Sequence, residues 1–106
     1  MQHIYRTTHF GDAITVRAGW DRPLSQFFLV IEQDEPSEDD EFEGRIYSNL
    51  DDANAPGYTN DLSTWHYFEL KLKELAIKLP DSMIQGIRSD FISRNGESGE
   101  ITHLDK

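Results

Sequence analysis

Acidic side chains are concentrated in one short stretch of this sequence, where their carboxylates could bind a divalent cation or a basic surface. In residues 32–43, eight of twelve residues are Asp or Glu. Selective cation binding requires oxygen ligands that converge in a fixed geometry. The consecutive acids of residues 38–41 fall in a loop between two predicted strands and do not converge in this way. We therefore expect no selective metal site here.

The stretch that begins at Asp52 partly matches the ligand spacing of a calcium-binding EF-hand loop. Gly57 falls at the sixth position, where that loop requires glycine. However, Pro56 stands where the fifth-position ligand is needed, and Ser63 stands where a bidentate Glu is needed. A turn-rich connector explains these residues better than a calcium site does.

His66 and Glu69 lie three residues apart, which places them on one face of a predicted helix. This pair is one half of a carboxylate–histidine metal pattern, in reversed order. The second predicted helix offers only Asp81 and Asp90 as further ligands. We therefore interpret His66 and Glu69 as surface residues.

Known catalytic motifs are absent from the sequence. There is no G-x-S-x-G, P-loop or G-x-G-x-x-G, and there is no cysteine to act as a thiolate. His3 and His9 share one face of the first predicted strand, directed at the core, where a histidine usually serves packing. We expect no catalytic residue, no cofactor and no metal. An enzyme with an unrecognised carboxylate or histidine site is the alternative.

The whole excess of negative charge lies in the middle of the chain. The net charge is −10, and residues 23–70 contain twelve acidic residues and one basic residue, Arg45. The rest of the chain has eight acidic and nine basic residues. Binding to nucleic acid phosphates or to an anionic membrane requires clustered Lys and Arg. We therefore expect neither direct nucleic acid binding nor membrane binding.

The sequence also lacks a targeting or membrane-spanning pattern. Residues 1–10 contain no basic region followed by an apolar one, as a secretory signal would. The longest apolar run, residues 27–31, is far shorter than the roughly 20 residues needed to cross a bilayer. We expect a cytoplasmic protein.

Strand signals fill the first half of the chain, and helix signals fill the second half. Alternating apolar residues predict the strands, and apolar residues at helical spacing from Trp65 to Leu79 predict the first helix. The predicted strands are about 2–10, 13–20, 25–33 and 43–50, and the predicted helices are about 63–79 and 81–94. Ser63 or Thr64 is expected to cap the first helix and Asp81 the second.

A two-residue turn at residues 11–12 (Gly-Asp) is predicted to join the first two strands. With this turn, Arg6 lies directly opposite Arg17. Two opposed arginines repel each other. The pair therefore indicates a bulge, a different register, or an acidic group over that face of the sheet.

Four strands followed by two helices predict an α+β fold. The expected arrangement is a four-stranded antiparallel sheet followed by a two-helix hairpin packed on one face. Residues 1–95 form this single domain, and residues 96–106 are expected to be a flexible polar tail.

Two surfaces are candidate binding sites. The first is the acidic segment 32–52, whose candidate partner-binding residues are Glu32, Asp34, Glu35, Glu38, Asp39, Asp40, Glu41, Glu43, Asp51 and Asp52. The second is a basic sheet face, whose members are Arg6, Arg17, Arg45 and Tyr47. The acidic segment can be simply solvated, can bind a basic partner protein, or can fold back over the three arginines.

From these surfaces we expect a small acidic, non-enzymatic interaction module that binds a basic partner protein through residues 32–52. A nucleic-acid-mimicking inhibitor of a DNA- or RNA-binding enzyme is an alternative, but it requires carboxylates held rigidly at phosphate-like spacing. Nothing in the sequence requires more than a monomer or a weak homodimer.

Two stretches, VRAGWDRPLSQFFLVIE (16–32) and LKELAIKLPDSMIQGIRSD (72–90), carry a resemblance. They resemble small uncharacterised bacterial proteins encoded on plasmids and genomic islands. The likeness lies in GWDRPL before an apolar strand and in a helix that ends in an Leu-Pro step. This family has no known activity, so the resemblance implies a bacterial cytoplasmic origin and assigns no role to any residue.

Overall fold

The computed structural model describes residues 2–22, 26–35, 44–55, 62–93 and 99–103. These residues form a five-stranded mixed sheet and two α-helices, which confirms the α+β class. The strands are β1 (Gln2–His9), β2 (Asp12–Asp21), β3 (Gln26–Gln33), β4 (Arg45–Ser48) and β5 (Glu100–His103). The helices are α1 (Ser63–Glu74) and α2 (Asp81–Ser93), and a short 3₁₀ turn, Asn49–Asp51, follows β4. Neither helix of the described part is long and apolar enough to span a membrane.

The fifth strand corrects the expected four-stranded antiparallel sheet. The strand order is β4-β3-β2-β1-β5, and β5 pairs with β1 in parallel. Residues 100–103 belong to the predicted flexible tail, but Ile101 pairs with His3 and His103 with Tyr5. Without this strand, β1 would present an unpaired row of backbone donors and acceptors at the sheet edge.

The turn between β1 and β2 falls at Phe10 and Gly11, one residue earlier than predicted. Their φ angles of 50° and 89° are those of a type I′ turn, which matches the twist of the two strands. Arg6 therefore pairs with Thr15, and Arg17 pairs with Ile4. The predicted opposition of the two arginines is wrong, because a two-residue turn that falls one residue earlier shifts the register by two residues. A shift of two leaves each side chain on its predicted face.

The core lies between one face of the sheet and the two helices. Alternate residues of β2 and β3 point into it because successive side chains of a strand lie on opposite faces. The buried strand residues are Ile14, Val16, Ala18, Trp20, Phe27, Leu29 and Ile31. The buried helix residues are Trp65, Phe68, Leu72, Met83, Ile87 and Phe91. Burial of each large apolar side chain stabilises the fold by roughly 1.5–3 kcal/mol.

Helix α1 ends earlier than the predicted residue 79. The N–H of Ile77 donates to the Leu72 carbonyl (2.9 Å), and the N–H of Ala76 donates to the Lys73 carbonyl (3.1 Å). These two bonds form a Schellman motif, which closes a helix with one residue in the left-handed conformation. Ala76 is that residue, with a φ of 60°.

The predicted cap of α1 is also corrected. Leu62 occupies the N-cap and makes no side-chain capping bond, whereas Ser63 or Thr64 was expected there. The helix therefore owes its position to the packing of its apolar face and not to a capping side chain.

At the start of α2, the Pro80 carbonyl accepts the N–H groups of Met83 (3.0 Å) and Ile84 (3.2 Å). Asp81 is consequently the first helical residue and not the cap. A carboxylate in the first turn still interacts favourably with the helix dipole.

Candidate functional site

Two connections of the sheet lie at the same end of it. Because β1, β2, β3 and β4 are successively antiparallel, the β1–β2 turn and the β3–β4 connection both lie where β3 ends. The N–H of Gln33 donates to the Gly44 carbonyl (2.8 Å), so the two ends of the β3–β4 connection are joined. This end of the sheet therefore brings the turn residue Phe10 towards the start of the acidic connection.

Phe10 is the most exposed large apolar residue among those described, at 88% of its full surface. Its ring contacts the neighbouring His9 ring edge-on, with 4.4 Å between the ring centroids. His9 is held in turn, because its Nε2 donates to the Leu75 carbonyl at the end of α1 (2.8 Å). The Phe10 ring thus projects into solvent next to a histidine whose position is fixed by a hydrogen bond.

Three acidic residues of the described part lie around this turn, and all are exposed: Asp12, Asp34 and Glu35. The N–H of Asp34 donates to the Ala13 carbonyl (2.9 Å), and its carboxylate accepts from the Thr15 hydroxyl (2.5 Å). Asp34 is therefore fixed to the start of β2. We call Phe10, Asp12, Asp34 and Glu35 the acidic sheet end.

Half of the ten predicted partner-binding acids lie outside the described residues; they are Glu38, Asp39, Asp40, Glu41 and Glu43. Of the others, Glu32 pairs with Thr15 and Arg45 in the sheet and lies on the face opposite the core. Asp51 forms an exposed ion pair with Arg45 (2.9 Å). Glu32 thus lies on the sheet face that carries the arginines, and Asp51 binds Arg45 directly.

Asp52 has an intramolecular role that its sequence position does not indicate. Its Oδ2 accepts hydrogen bonds from the hydroxyls of Tyr47 and Tyr67, both at 2.7 Å. The bond from Tyr67, followed by that from Tyr47, lowers the pKa of Asp52. The bond to Asp52 raises the pKa of Tyr67 to about 12, whereas burial is the main cause of the raised pKa of Tyr47. Asp52 therefore ties α1 to the edge strand β4.

The predicted basic sheet face needs a correction. A bulge between Ile31 and Glu32 changes the register of β4, so that Tyr47 pairs with core-facing Ile31 while Arg45 pairs with Glu32. Tyr47 therefore does not share a face with the arginines. The face is also only partly open, because Thr15 and Ile4 are buried on it; Arg6 and Arg45 are exposed and Arg17 is half-buried.

Helix α1 and helix α2 are joined on their outer surfaces by Glu69. Its carboxylate accepts from Arg88 at 2.7 Å and lies 3.7 Å from His66 Nδ1. Among the residues that the structure describes, no three His, Asp or Glu side chains converge as a metal site would require. His66 and Glu69 are surface residues in this arrangement.

A second constellation connects the interior to the surface through four polar side chains. His3 Nε2 is 2.7 Å from Asp90 Oδ2, His3 Nδ1 is 2.8 Å from His103 Nε2, and His103 Nδ1 is 3.1 Å from Ser82 Oγ. His3 is 1% exposed and Asp90 8%, whereas Ser82 is exposed. We call these four residues the polar chain. It joins β1, β5 and both ends of α2.

The two imidazole rings of the polar chain are joined nitrogen to nitrogen. Their centroids are 5.0 Å apart and their planes differ by 25°, which with the 2.8 Å N···N distance makes them edge-to-edge neighbours and not a face-to-face stack. Burial, and secondly the charge of His3, lowers the pKa of His103. His103 is therefore largely neutral near pH 7.

Helix α2 carries a glycine where His3 meets it. A Cβ atom at Gly86 would lie 2.6 Å from the Cε1 atom of His3, which is closer than such atoms approach. Glycine inside a helix costs roughly 0.5–1 kcal/mol relative to alanine. The helix thus accommodates the His3 ring at the expense of its own stability.

A cavity of about 500 Å³ opens beside the polar chain. Its walls are the second half of β1, the connection between α1 and α2, and the first turn of α2; they include Tyr5, Thr7, Lys78, Pro80 and Ser82. The volume is within the roughly 300–1,000 Å³ of small-molecule sites.

Sequence reasoning directed His3 towards the core correctly but missed its partners. Asp90 and His103 are 87 and 100 positions away from His3, so no local spacing connects them. One signal was present: Asp90 falls on the apolar stripe of α2 with Ile87 and Phe91, where a carboxylate requires a buried partner.

Comparison with known proteins does not identify the chain, because no protein family, no curated protein and no solved structure matches it.

Proposed function

We propose that this protein is a small interaction module that binds a basic partner protein through the acidic segment 32–52, with Phe10 of the acidic sheet end as an apolar anchor. The observation that carries the proposal is the 88% exposure of Phe10 beside Asp12, Asp34 and Glu35. The excess negative charge of residues 23–70 supplies long-range attraction for a basic surface.

Phe10 is poorly explained by the needs of the fold. A phenylalanine at positive φ is an uncommon and unfavourable choice, and Asn-Gly is the favoured sequence of a type I′ turn. Aromatic residues are enriched among the side chains that dominate binding energy at protein interfaces. An exposed ring on a fixed turn is a suitable anchor, because little conformational entropy is lost when it binds.

The substitution Phe10→Asn separates binding from folding. We expect it to raise the free energy of unfolding by roughly 0.5–1 kcal/mol, because asparagine tolerates positive φ better than phenylalanine. Partner affinity should fall about tenfold or more, because the anchor is lost. Affinity capture from a native lysate, combined with urea unfolding, measures both quantities.

The matched control for Phe10 is Ile92, which is 69% exposed and lies on α2, outside the acidic segment. The substitution Ile92→Asn should leave the captured partner unchanged. Equal capture by wild type and the F10N variant would contradict the role of Phe10.

The charge component is tested by replacing residues 38–41 with Ser-Asn-Asn-Gln. Capture should be lost in this variant and should weaken for the wild type at high salt, because the attraction is screened. The melting temperature should stay nearly the same. Undiminished capture by the neutralised variant at low salt would refute the proposal.

The nucleic-acid mimic is the less favoured alternative. Mimicry requires rigid carboxylates that remain available to a partner, but three of the described acids are engaged within the chain. Thr15 donates to Asp34, Arg45 binds Asp51, and two tyrosines donate to Asp52. A general charge-driven contact requires no regular spacing.

A further inference from the structure

The polar chain has the order of groups found in hydrolases with a serine nucleophile, extended by one imidazole. A hydroxyl at the surface, that of Ser82, is followed by His103, then by buried His3, and finally by the carboxylate of Asp90. Each separation, 3.1, 2.8 and 2.7 Å, is within hydrogen-bond distance. The polar chain therefore provides a continuous path of hydrogen bonds from the Ser82 hydroxyl to the Asp90 carboxylate.

The carboxylate determines the direction of the hydrogen bonds. A carboxylate oxygen only accepts, so His3 Nε2 donates to Asp90. In the His3 tautomer that carries its single ring proton on Nε2, Nδ1 is the acceptor for His103. His103 then donates from Nε2 to His3, which leaves its Nδ1 as an acceptor directed at the Ser82 hydroxyl. With one proton on each imidazole ring, every group in the polar chain has a partner, and the Nδ1 of His103 is a base in contact with the Ser82 hydroxyl.

We propose that Ser82 is a nucleophile for small carboxylic esters that bind in the adjacent 500 Å³ cavity, with His103 as its general base. Ser82 is exposed and belongs to the cavity wall, so a substrate there can reach its hydroxyl. His3 and Asp90 do not contact the substrate; they are positioning residues that act through His103. This inference is independent of the acidic sheet end and adds an activity to the proposed binding function.

The reaction balances with water as the only co-reactant. Ser82 Oγ forms a bond to the ester carbonyl carbon while its proton moves to His103 Nδ1. The ester C–O bond then breaks, and the leaving alkoxide takes this proton to depart as an alcohol. Water attacks the resulting acyl-serine by the same route, which releases the carboxylic acid and restores the Ser82 hydroxyl.

The glycine on α2 supports a specific placement of His3. Position 86 must be glycine for the His3 ring to lie here, because an added Cβ would be 2.6 Å from the Cε1 atom of His3. The contact thus selects a ring position from which both nitrogens reach partners.

The first experiment uses the absence of cysteine from the chain. The substitution Ser82→Cys introduces a single thiol next to His103, and Ser89→Cys introduces one at an exposed position of the same helix. At pH 7 the S82C thiol should react with iodoacetamide about tenfold faster than the S89C thiol, because the imidazole takes its proton. Equal rates in two folded variants would overturn the proposal.

The second experiment tests the hydroxyl itself. A fluorophosphonate probe should add once to the wild-type protein, at Ser82, as detected by peptide mass spectrometry. The label should be lost in the S82A variant and retained in the S89A variant. Hydrolysis of p-nitrophenyl acetate should follow the same pattern. Absence of labelling in the folded wild type would overturn the proposal.

The positioning role is tested with Asp90→Asn, because this substitution keeps the shape of the side chain. The labelling rate should fall about tenfold or more, and its pH profile should shift, since the charge that sets the tautomer of His3 is removed. The titratable groups that bear on this profile are His3, which contacts His103, Asp90, which contacts His3, and Lys78 and Asp81 in the cavity wall beside Ser82. An unchanged labelling rate and pH profile in a folded D90N variant would overturn the positioning role of Asp90 and His3.

Discussion

At the scale of single residues, hydrogen bonding decides what several acidic side chains do. Asp52 looks like a member of a charged surface in the sequence, yet two tyrosine hydroxyls donate to it. The carboxylate is favoured in its ionised form by these donors, and this lowers its pKa. Its charge is consequently used to hold Tyr47 and Tyr67 together.

We predict that Tyr67→Phe raises the pKa of Asp52 towards its ordinary value, because the largest cause of the lowered pKa is removed. The carboxylate stabilises the fold above its unfolded-state pKa, and this stabilisation is lost as the pH falls through the lower folded-state pKa. The Y67F variant should therefore lose less stability than wild type on acidification. A ¹³C-NMR titration of the Asp52 carboxyl measures the pKa directly, and an unchanged value would contradict the prediction.

At the scale of elements, the ends of strands and helices are where local sequence signals were insufficient. The turn at Phe10 and Gly11 and the helix end at Ala76 both use positive φ angles at residues other than glycine. No simple residue preference predicts such positions, because alanine and phenylalanine rarely adopt this conformation. The turn at Phe10 sets the register of β1 with β2, and the conformation of Ala76 sets the length of α1.

The left-handed conformation of Ala76 leads to a prediction of increased stability. The substitution Ala76→Gly should raise the free energy of unfolding by about 0.5–1 kcal/mol, because glycine adopts this conformation without steric cost. Ser89→Gly, at an exposed interior position of α2, is the control and should lower stability by roughly 0.5 kcal/mol. Urea unfolding of the two variants distinguishes these effects; a destabilised A76G variant would mean that the Schellman motif is not formed.

At the scale of the whole molecule, the polar chain links the first and the last strand of the sheet to helix α2. His3 lies on the first strand and His103 on the last, and Asp90 and Ser82 attach both to α2. The parallel pairing of β5 with β1 brings these histidines together. The same contacts therefore anchor the final strand and build the candidate nucleophilic site.

The burial of His103 in these contacts predicts that stability depends on pH. Burial lowers the pKa of His103 in the folded protein, so the unfolded chain binds more protons between the folded and the ordinary histidine pKa. Stability should be fully present above the ordinary value and should decrease as the pH falls from about 7 towards the lower folded value. Hydrogen exchange of the β5 amides from pH 8 to 5 measures this loss, and His103→Gln should reduce it. Equal β5 protection at both pH values would contradict the prediction.

The sequence by itself determined the α+β class, the alternating core residues of β2 and β3, the apolar stripes of both helices and the central excess of negative charge. These features follow from periodicity and composition, which are local properties of the chain. Only the tertiary structure decided that residues 100–103 pair with β1, that Tyr47 faces the core, and that His3, His103, Asp90 and Ser82 form one chain. Such contacts join residues up to 100 positions apart. Their energy depends on spatial proximity, which no local pattern encodes.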